Sequence, residues 1–284
     1  VRHDGHHYLE TLYNKGVRNF IVETIEHLTL SHFLGANIWL ADSSVDALQK
    51  IAAFHRSQVD LPVIAVTGSN GKTTTTLLTY HLLKKLGLNV GLAGNIGKSL
   101  ARQVIDDQFS HYVLELSSFQ LDGMYKFRAD VAILLNITPD HLDRYEYKFS
   151  KYVASKFRVL QNLRSEDYFI SFADDPAIQE YQEINEVFPV HLSISLKELV
   201  MNGASITGSK ILVNIANHIT KNYSIETSAL PLQGKHNMVN TMAAVLAASA
   251  LGLDEKLFIS AMADFKNAPH RLERVAEING VQYV

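Results

Sequence analysis

The stretch VTGSNGKTTTT, Val66 to Thr76, has the residues of a phosphate-binding loop at an unusual spacing. The common loop reads G-x-x-x-x-G-K-[ST]. Counting back from Gly71 and Lys72, its first glycine would fall on Val66, but the glycine stands at Gly68. The chemistry is still that of polyphosphate binding. Gly68 and Gly71 let backbone N–H groups turn toward an anion. A helix starting there adds its positive end. Lys72 brings a mobile charge, and the Thr73 hydroxyl is placed to reach Mg²⁺. The bland alternative is a plain strand-to-helix turn capped by threonines.

Four other clusters could do chemistry. In HYVLELSSFQLD, Glu115 lies in an apolar strand near its carboxyl end. A carboxylate there is costly to bury unless it is paired or binds a metal; on an edge strand it would simply point to solvent. In LLNITPDHLDRY, a strand ending at Asn136 is followed by Asp140, His141, Asp143 and Arg144. Neutral histidine is a good metal ligand, although Mg²⁺ favours oxygen. In SKYVASKFRVLQNL, Lys156 sits beside the apolar positions Tyr152, Phe157, Leu160 and Leu163, and by itself it reads as a solvated lysine with a snorkelling stem. In LQGKHNMVNTMAAV, His236, Asn237 and Asn240 occupy the first turn of a helix, where Asn amides either read an adenine edge or cap the helix.

The elements that must position these groups follow from periodicity. LPVIAVT, LNVGLAG, HYVLEL and DVAILLN read as short buried strands, and helices follow Lys72 (to about Leu86), Ser150 (to Leu163) and Asn237 (to Leu251). Alternating strands and helices predict a mostly parallel sheet with helices on both faces. Ligands of such sheets bind beyond the carboxyl ends of the strands, so chemistry should gather just after Thr67, Ala93, Leu116 and Asn136. Ser193 to Leu232 reads as strand-like and loop-rich. Before Pro62, a small α/β region is expected: a helix ending at Gly16, a strand Arg18 to Glu23, and an amphipathic helix Ser44 to Gln58 with Val45, Leu48, Ile51, Ala52 and His55 on or near one face.

The chain has 284 residues, a formal net charge of -3 and no cysteine. The length suggests about two domains. A disulfide scaffold and a thiolate metal site are excluded. There is no basic stripe for nucleic acid, no signal-peptide pattern, and no apolar run near the roughly 18 residues of a membrane helix. The chain opens on Val1 and closes on GVQYV, which reads as an unfinished strand, so a piece of a longer protein is expected.

Taken in order, VTGSNGKTTTT, LAGNIGKSL, VLELSSFQLD, NITPDHLDRY, YVASKFRVLQN, LQGKHNMVN and PHRLERV resemble the Mur ligase family of peptidoglycan synthesis over about Pro62 to Val284. LELSSFQL and the SKFRV helix resemble its D-glutamate-adding branch. This accounts for Val66, because that family and the related folylpolyglutamate synthases use a T-G-x-N-G-K-[ST] loop. The resemblance implies a P-loop α/β central domain over 62–268, a partial N-terminal α/β domain over 1–61, and the start of a linker over 269–284, with the C-terminal Rossmann-like domain absent. It implies ATP-dependent amide ligation through an acyl phosphate, with UDP-N-acetylmuramoyl-L-alanine and D-glutamate as substrates. A bacterial, cytoplasmic, monomeric enzyme with no nucleic-acid or membrane partner is expected.

By the same resemblance, Gly68, Ser69, Asn70, Gly71, Lys72, Thr73 and Thr74 hold the ATP phosphates. His236, Asn237 and Asn240 hold the adenine end, and Arg271 reaches the nucleotide. Thr73, Glu115, His141 and Lys156, the last as a carbamate, form the site of two Mg²⁺ ions. Lys72, His141 and Lys156 carry the catalytic role, and Asn95 and Ser117 contact the muramoyl substrate. The first 61 residues depart from this branch. They lack its glycine-rich UDP turn and resemble instead the end of the first domain of the D-alanyl-D-alanine-adding branch, so no UDP-binding residue is assigned. That branch, and a nucleotide-binding fragment without catalysis, are the competing readings. With its third domain absent, the chain is expected to bind nucleotide weakly and to be inactive or nearly so alone.

Overall fold

The computed structural model describes residues 4–26, 28–57, 61–100, 103–104, 109–216, 219–267, 276–278 and 281–283. The chain divides into two compact units, Val1–Asp60 and Leu61–Val284.

In the first unit, helix α1 (Leu9–Asn14) stops before Gly16, whose φ of 93° ends the helix in the left-handed region. Strands β1 (Asn19–Val22) and β2 (Asn37–Leu40) pair in parallel. Leu9, Phe20, Val22 and Phe33 form a small core. Helix α2 (Ser44–Ser57) forms as the periodicity predicts, with the Glu23 carboxylate accepting from the N–H and hydroxyl of Ser44. Its apolar stripe is not covered, however: Val45, Leu48 and Ile51 are each more than half exposed. The side chains of Ala52 and His55 lie outside the described residues.

The second unit is built on one nine-stranded sheet. Strands β3 (Val63–Thr67), β4 (Val90–Gly94), β5 (His111–Glu115) and β6 (Val131–Leu134) are the four short apolar runs of the sequence. β7 (Tyr168–Phe172), β8 (Val190–Ser195), β9 (Gly203–Thr207), β10 (Lys210–Ala216) and β11 (Thr220–Glu226) extend the sheet in the order β11-β10-β9-β8-β7-β6-β3-β5-β4. Every pair from β4 to β9 is parallel, and only β10 and β11 run antiparallel to their neighbours. The segment expected to be strand-like and loop-rich supplies β9, β10 and β11, the last two joined by hairpin turns instead of helical crossovers.

Burial on both faces explains the continuous apolar runs. Ile64 and Val66 point to one face, where α3 (Lys72–Lys85), α7 (Lys235–Ala250) and α8 (Phe258–Met262) pack. Val63 and Ala65 point to the other, against α4 (Ser118–Asp122), α5 (Phe149–Phe157) and α6 (Pro176–Ile184). Alternate side chains serving opposite layers is the period-two rule of a strand. α7 is buried from Asn237 to Ala250, and its run of alanines lets it approach α3 and the sheet closely. α5 ends at Phe157 and tightens into a 3-10 turn to Leu160. There the Arg158 guanidinium donates to the carbonyls of Leu121 and Met124. The expected linker lies mostly outside the described residues; Ala276–Ile278 and Val281–Tyr283 form an antiparallel pair within it. No helix among the described residues is long and apolar enough to cross a membrane.

At the amino end of the sheet, charge does the aligning. Arg128 donates to both Asp167 oxygens, at 2.8 and 2.5 Å, and to Asp130 at 3.0 Å. The other Asp130 oxygen accepts from the Val63 N–H at 2.7 Å. The starts of β3, β6 and β7 are thereby tied together. Arg128→Ala would leave Asp167, 3% exposed, without its counter-charge, and is expected to cost about 3 kcal/mol in urea denaturation. A loss below about 1 kcal/mol, the range of a surface pair, would show that this cluster does not hold the strands.

Candidate functional site

Parallel pairing brings the carboxyl ends into line. Val66 and Gly94 both stand opposite Glu115, and Thr67 stands opposite Leu134. The loops after β3, β4, β5 and β6 therefore open at one edge, where the periodicity predicts that chemistry should gather.

The loop between β3 and α3 is shaped by its two glycines. Gly68 has φ 147° and Gly71 φ 82°. A Cβ on Gly71 would lie 2.6 Å from the Asn240 side chain, so both conformation and space require glycine there. Gly71 is the N-cap of α3 and offers no side chain to cap it. The first N–H groups of α3 have no intrahelical acceptor, which leaves them to an anion. The Lys72 ammonium donates to the Ser69 carbonyl at 2.8 Å. It is folded over the loop and can follow a phosphate. Thr73 is half-buried in the first turn, and the Thr74 hydroxyl donates to Asn267 at 3.0 Å.

Glu115 and Lys156 are both interior. Glu115 is 1% exposed. One of its oxygens accepts from the Asn95 amide at 2.9 Å, and its other, Oε2, is buried without a hydrogen-bond partner among the described residues. A buried carboxylate oxygen left open is a strong reason to expect a cation. Asn95 is held in turn, its N–H donating to the Glu115 carbonyl at 2.8 Å. Lys156 is 2% exposed. The snorkelling reading fails, because α5 turns this residue inward to the end of β3. Its Nζ donates to the Gly68 carbonyl at 2.8 Å and lies 5.2 Å from the Tyr152 ring centre. Burial and then the neighbouring Lys72 charge push its pKa down to about 7, against smaller opposing effects of Asp140, Asp122 and Glu115. At neutral pH much of it is free amine.

His141 is exposed, with φ 50°, and its Nε2 lies 3.5 Å from Asp140. Its ring packs at 5.1 Å against Phe119, which also carries the Arg144 guanidinium at 5.0 Å. Asp143 is exposed in the 3-10 turn that follows. Among the described residues no three acidic or histidine side chains stand close enough to form a ready metal cluster. Glu115 and Lys156 are thus brought to the loop, while His141 stands at the rim. Ser117 caps α4 in a reciprocal box with Gln120.

At the start of α7, His236 is exposed. Asn237 donates to the Gln233 carbonyl at 2.8 Å, tying the first turn of α7 to the segment before it, while Gly234 at the N-cap has no side chain to cap the helix. Asn240 accepts from the Thr75 hydroxyl at 3.1 Å and donates to Asn237 at 3.2 Å. Asn240 thus braces α3 against α7. Arg271 lies outside the described residues. Two residues absent from the sequence reading of the site also meet the loop. Asn136 bonds to Asn70, and the Tyr152 hydroxyl lies 3.2 Å from that of Ser69. For Tyr152 a signal existed, since it stands four residues before Lys156 on one helix face.

Comparison with known proteins gives the same arrangement a lineage. The Mur ligase middle domain family matches residues 66–248. The UDP-N-acetylmuramoylalanine--D-glutamate ligase of Cytophaga hutchinsonii is 54% identical over 221 residues, covering 78% of this chain and 49% of that protein. The enzyme of the same name from Christiangramia forsetii is 50% identical over 225 residues, covering 79% and 50%. The chain spans about half the length of the curated relatives it matches. Among solved structures, the MurF ligase of Thermotoga maritima in complex with ADP superposes with a TM-score of 0.72 at 22% identity, over 97% of this chain and 64% of that one. That likeness is one of fold. By its sequence match over most of the second unit, the chain belongs to the Mur ligase family.

Proposed function

We propose that the chain is part of an ATP-dependent amide ligase that adds D-glutamate to UDP-N-acetylmuramoyl-L-alanine in the bacterial cytoplasm. The observation that carries the choice of substrate is the name shared by relatives 46–54% identical to it. The geometry supports the chemistry. The reaction forms an acyl phosphate from the L-alanine carboxylate and the ATP γ-phosphoryl group, with ADP leaving. The D-glutamate amine then attacks the acyl carbon, phosphate departs, and an amide remains. Such a transfer needs positioning and charge neutralisation above all.

Gly68 to Thr74 would cradle the phosphates, with Lys72 moving from the Ser69 carbonyl onto the transferred group. Asn95 and Ser117 would face the muramoyl end, Asn95 while holding Glu115. His236, Asn237, Asn240 and Arg271 would meet the nucleoside. The open Glu115 Oε2 fits a divalent cation, with Thr73, His141 and a carbamylated Lys156 completing the donor set for two Mg²⁺ ions. Bound Mg²⁺ supplies electrostatic stabilisation of the phosphoryl charge. Carbamylation suits Lys156 because CO₂ reacts with a neutral amine, and with its pKa lowered to about 7 a substantial fraction of the buried group is neutral at that pH. It would turn a cation beside Lys72 into an anion.

A chain extended to the length of its relatives is expected to release phosphate from ATP only with UDP-N-acetylmuramoyl-L-alanine and D-glutamate together. Turnover with the muramoyl tripeptide and D-alanyl-D-alanine instead would move the function to the other branch. Lys72→Ala should lower kcat/KM by at least about a hundredfold, the scale of losing one charge-stabilising group. A loss under tenfold would remove Lys72 from the phosphate site.

Lys156 also sets a pH dependence. Its folded pKa of about 7 lies below its ordinary 10.5, so between these values the unfolded chain holds more protons. Stability therefore rises with pH across that window, and the cost of burying the ammonium is full below pH 7. In CO₂-free buffer, the stability advantage of Lys156→Met should shrink by about 1.4 kcal/mol per pH unit from pH 7 to 10. An advantage independent of pH in thermal unfolding would mean the amine is not desolvated.

A further inference from the structure

The pairing of β3 with β6 does not stop where the strands do. The Leu135 N–H donates to the Thr67 carbonyl at 3.1 Å, and the Ser69 N–H to the Asn136 carbonyl at 2.9 Å. The Asn136 side chain then continues the ladder. Its Oδ1 accepts from the Asn70 N–H at 2.8 Å, and its Nδ2 donates to the Asn70 carbonyl at 3.0 Å. A carboxamide bonded to both groups of one residue mimics a strand edge. Beside it, the Ser69 hydroxyl donates to the Thr138 carbonyl at 3.0 Å and accepts from the Thr138 N–H at 2.9 Å. The space is tight, since a Cβ on Gly68 would sit 3.1 Å from Leu135 and 3.3 Å from the Asn136 backbone. Pro139, Asp140 and His141 follow Thr138.

The phosphate-binding loop is thus zipped, residue by residue, to the segment that delivers His141. We propose that Asn136 is a positioning residue that couples the phosphate-binding loop to the His141 turn, so that nucleotide phosphates and the rim histidine are set by one carboxamide. This rests on the ligase reading above. Asn136 contributes no group to the nucleotide. It fixes the peptide of Asn70, and with it the direction in which the next N–H groups face. Because 136–138 and 68–70 share their hydrogen bonds, neither can shift alone.

Amide hydrogen exchange by NMR tests this on the chain itself. In Asn136→Ala, the amides of Ser69, Asn70 and Thr138 should exchange about tenfold faster or more, together, as expected for a lost hydrogen-bond pair. Amides of β7 and β8 should keep their rates, which separates this from global loosening. Asn136→Asp restores the acceptor for the Asn70 N–H but not the donor to its carbonyl, and should fall between. In the extended enzyme, Asn136→Ala should raise KM for ATP about tenfold, change kcat less, and leave KM for the amino acid unaltered. Wild-type exchange at Ser69 and Asn70 in the alanine variant would overturn the proposal. So would a loosened loop with Thr138 unchanged. If the unaltered enzyme shows no ATP-dependent ligation, the proposed function fails, and the exchange rates still decide the role of Asn136.

Discussion

The candidate site depends on burying an amine where the glycine loop between β3 and α3 turns. Lys156 reaches the Gly68 carbonyl from the opposite layer of the sheet, and Lys72 stands close enough to act on it. Two cations in one low-dielectric corner repel, and burial penalises each charge. The fold answers by lowering the Lys156 pKa to about 7 and by keeping Glu115 nearby with one oxygen open. In this corner both amines are held by backbone carbonyls, and among the described residues no carboxylate is hydrogen-bonded to Lys156. It is an arrangement that a bound ion, a carbamate or a phosphate completes, and it makes little sense for an inert core.

The sheet makes such a corner possible by separating its two ends. Arg128, Asp130 and Asp167 satisfy one another at the amino edge. At the carboxyl edge, Glu115 Oε2 has no hydrogen-bond partner among the described residues and α3 begins without a side-chain cap. Strand register then fixes the reacting end, because Val66 and Gly94 share Glu115 as neighbour. A one-residue slip would turn Glu115 to the other face.

The loop, the central strands and the three main helices were legible in the sequence. Each is announced by local signals: Gly68 and Gly71, apolar runs of strand length, and helical spacing after Lys72, Ser150 and Asn237. Glu115 was legible as a misfit carboxylate in an apolar strand. Lys156 was legible only through the family resemblance, since the composition of its helix equally describes a solvated lysine. Asn136 gave no local sign, because its partner lies 66 residues away and the interaction runs through backbone groups. The exposed stripe of α2 shows the converse limit. Periodicity places Val45, Leu48 and Ile51 together, but a small core such as that of the first unit cannot cover them.

The central claim is that the Lys156 amine is held ready to become an anionic ligand. It is tested most directly by equilibrating the chain with ¹³C-bicarbonate at slightly alkaline pH and recording the protein-borne carbamate carbon by NMR. The account predicts one such signal that disappears in Lys156→Met. No signal, or a signal that persists in that variant, would contradict it.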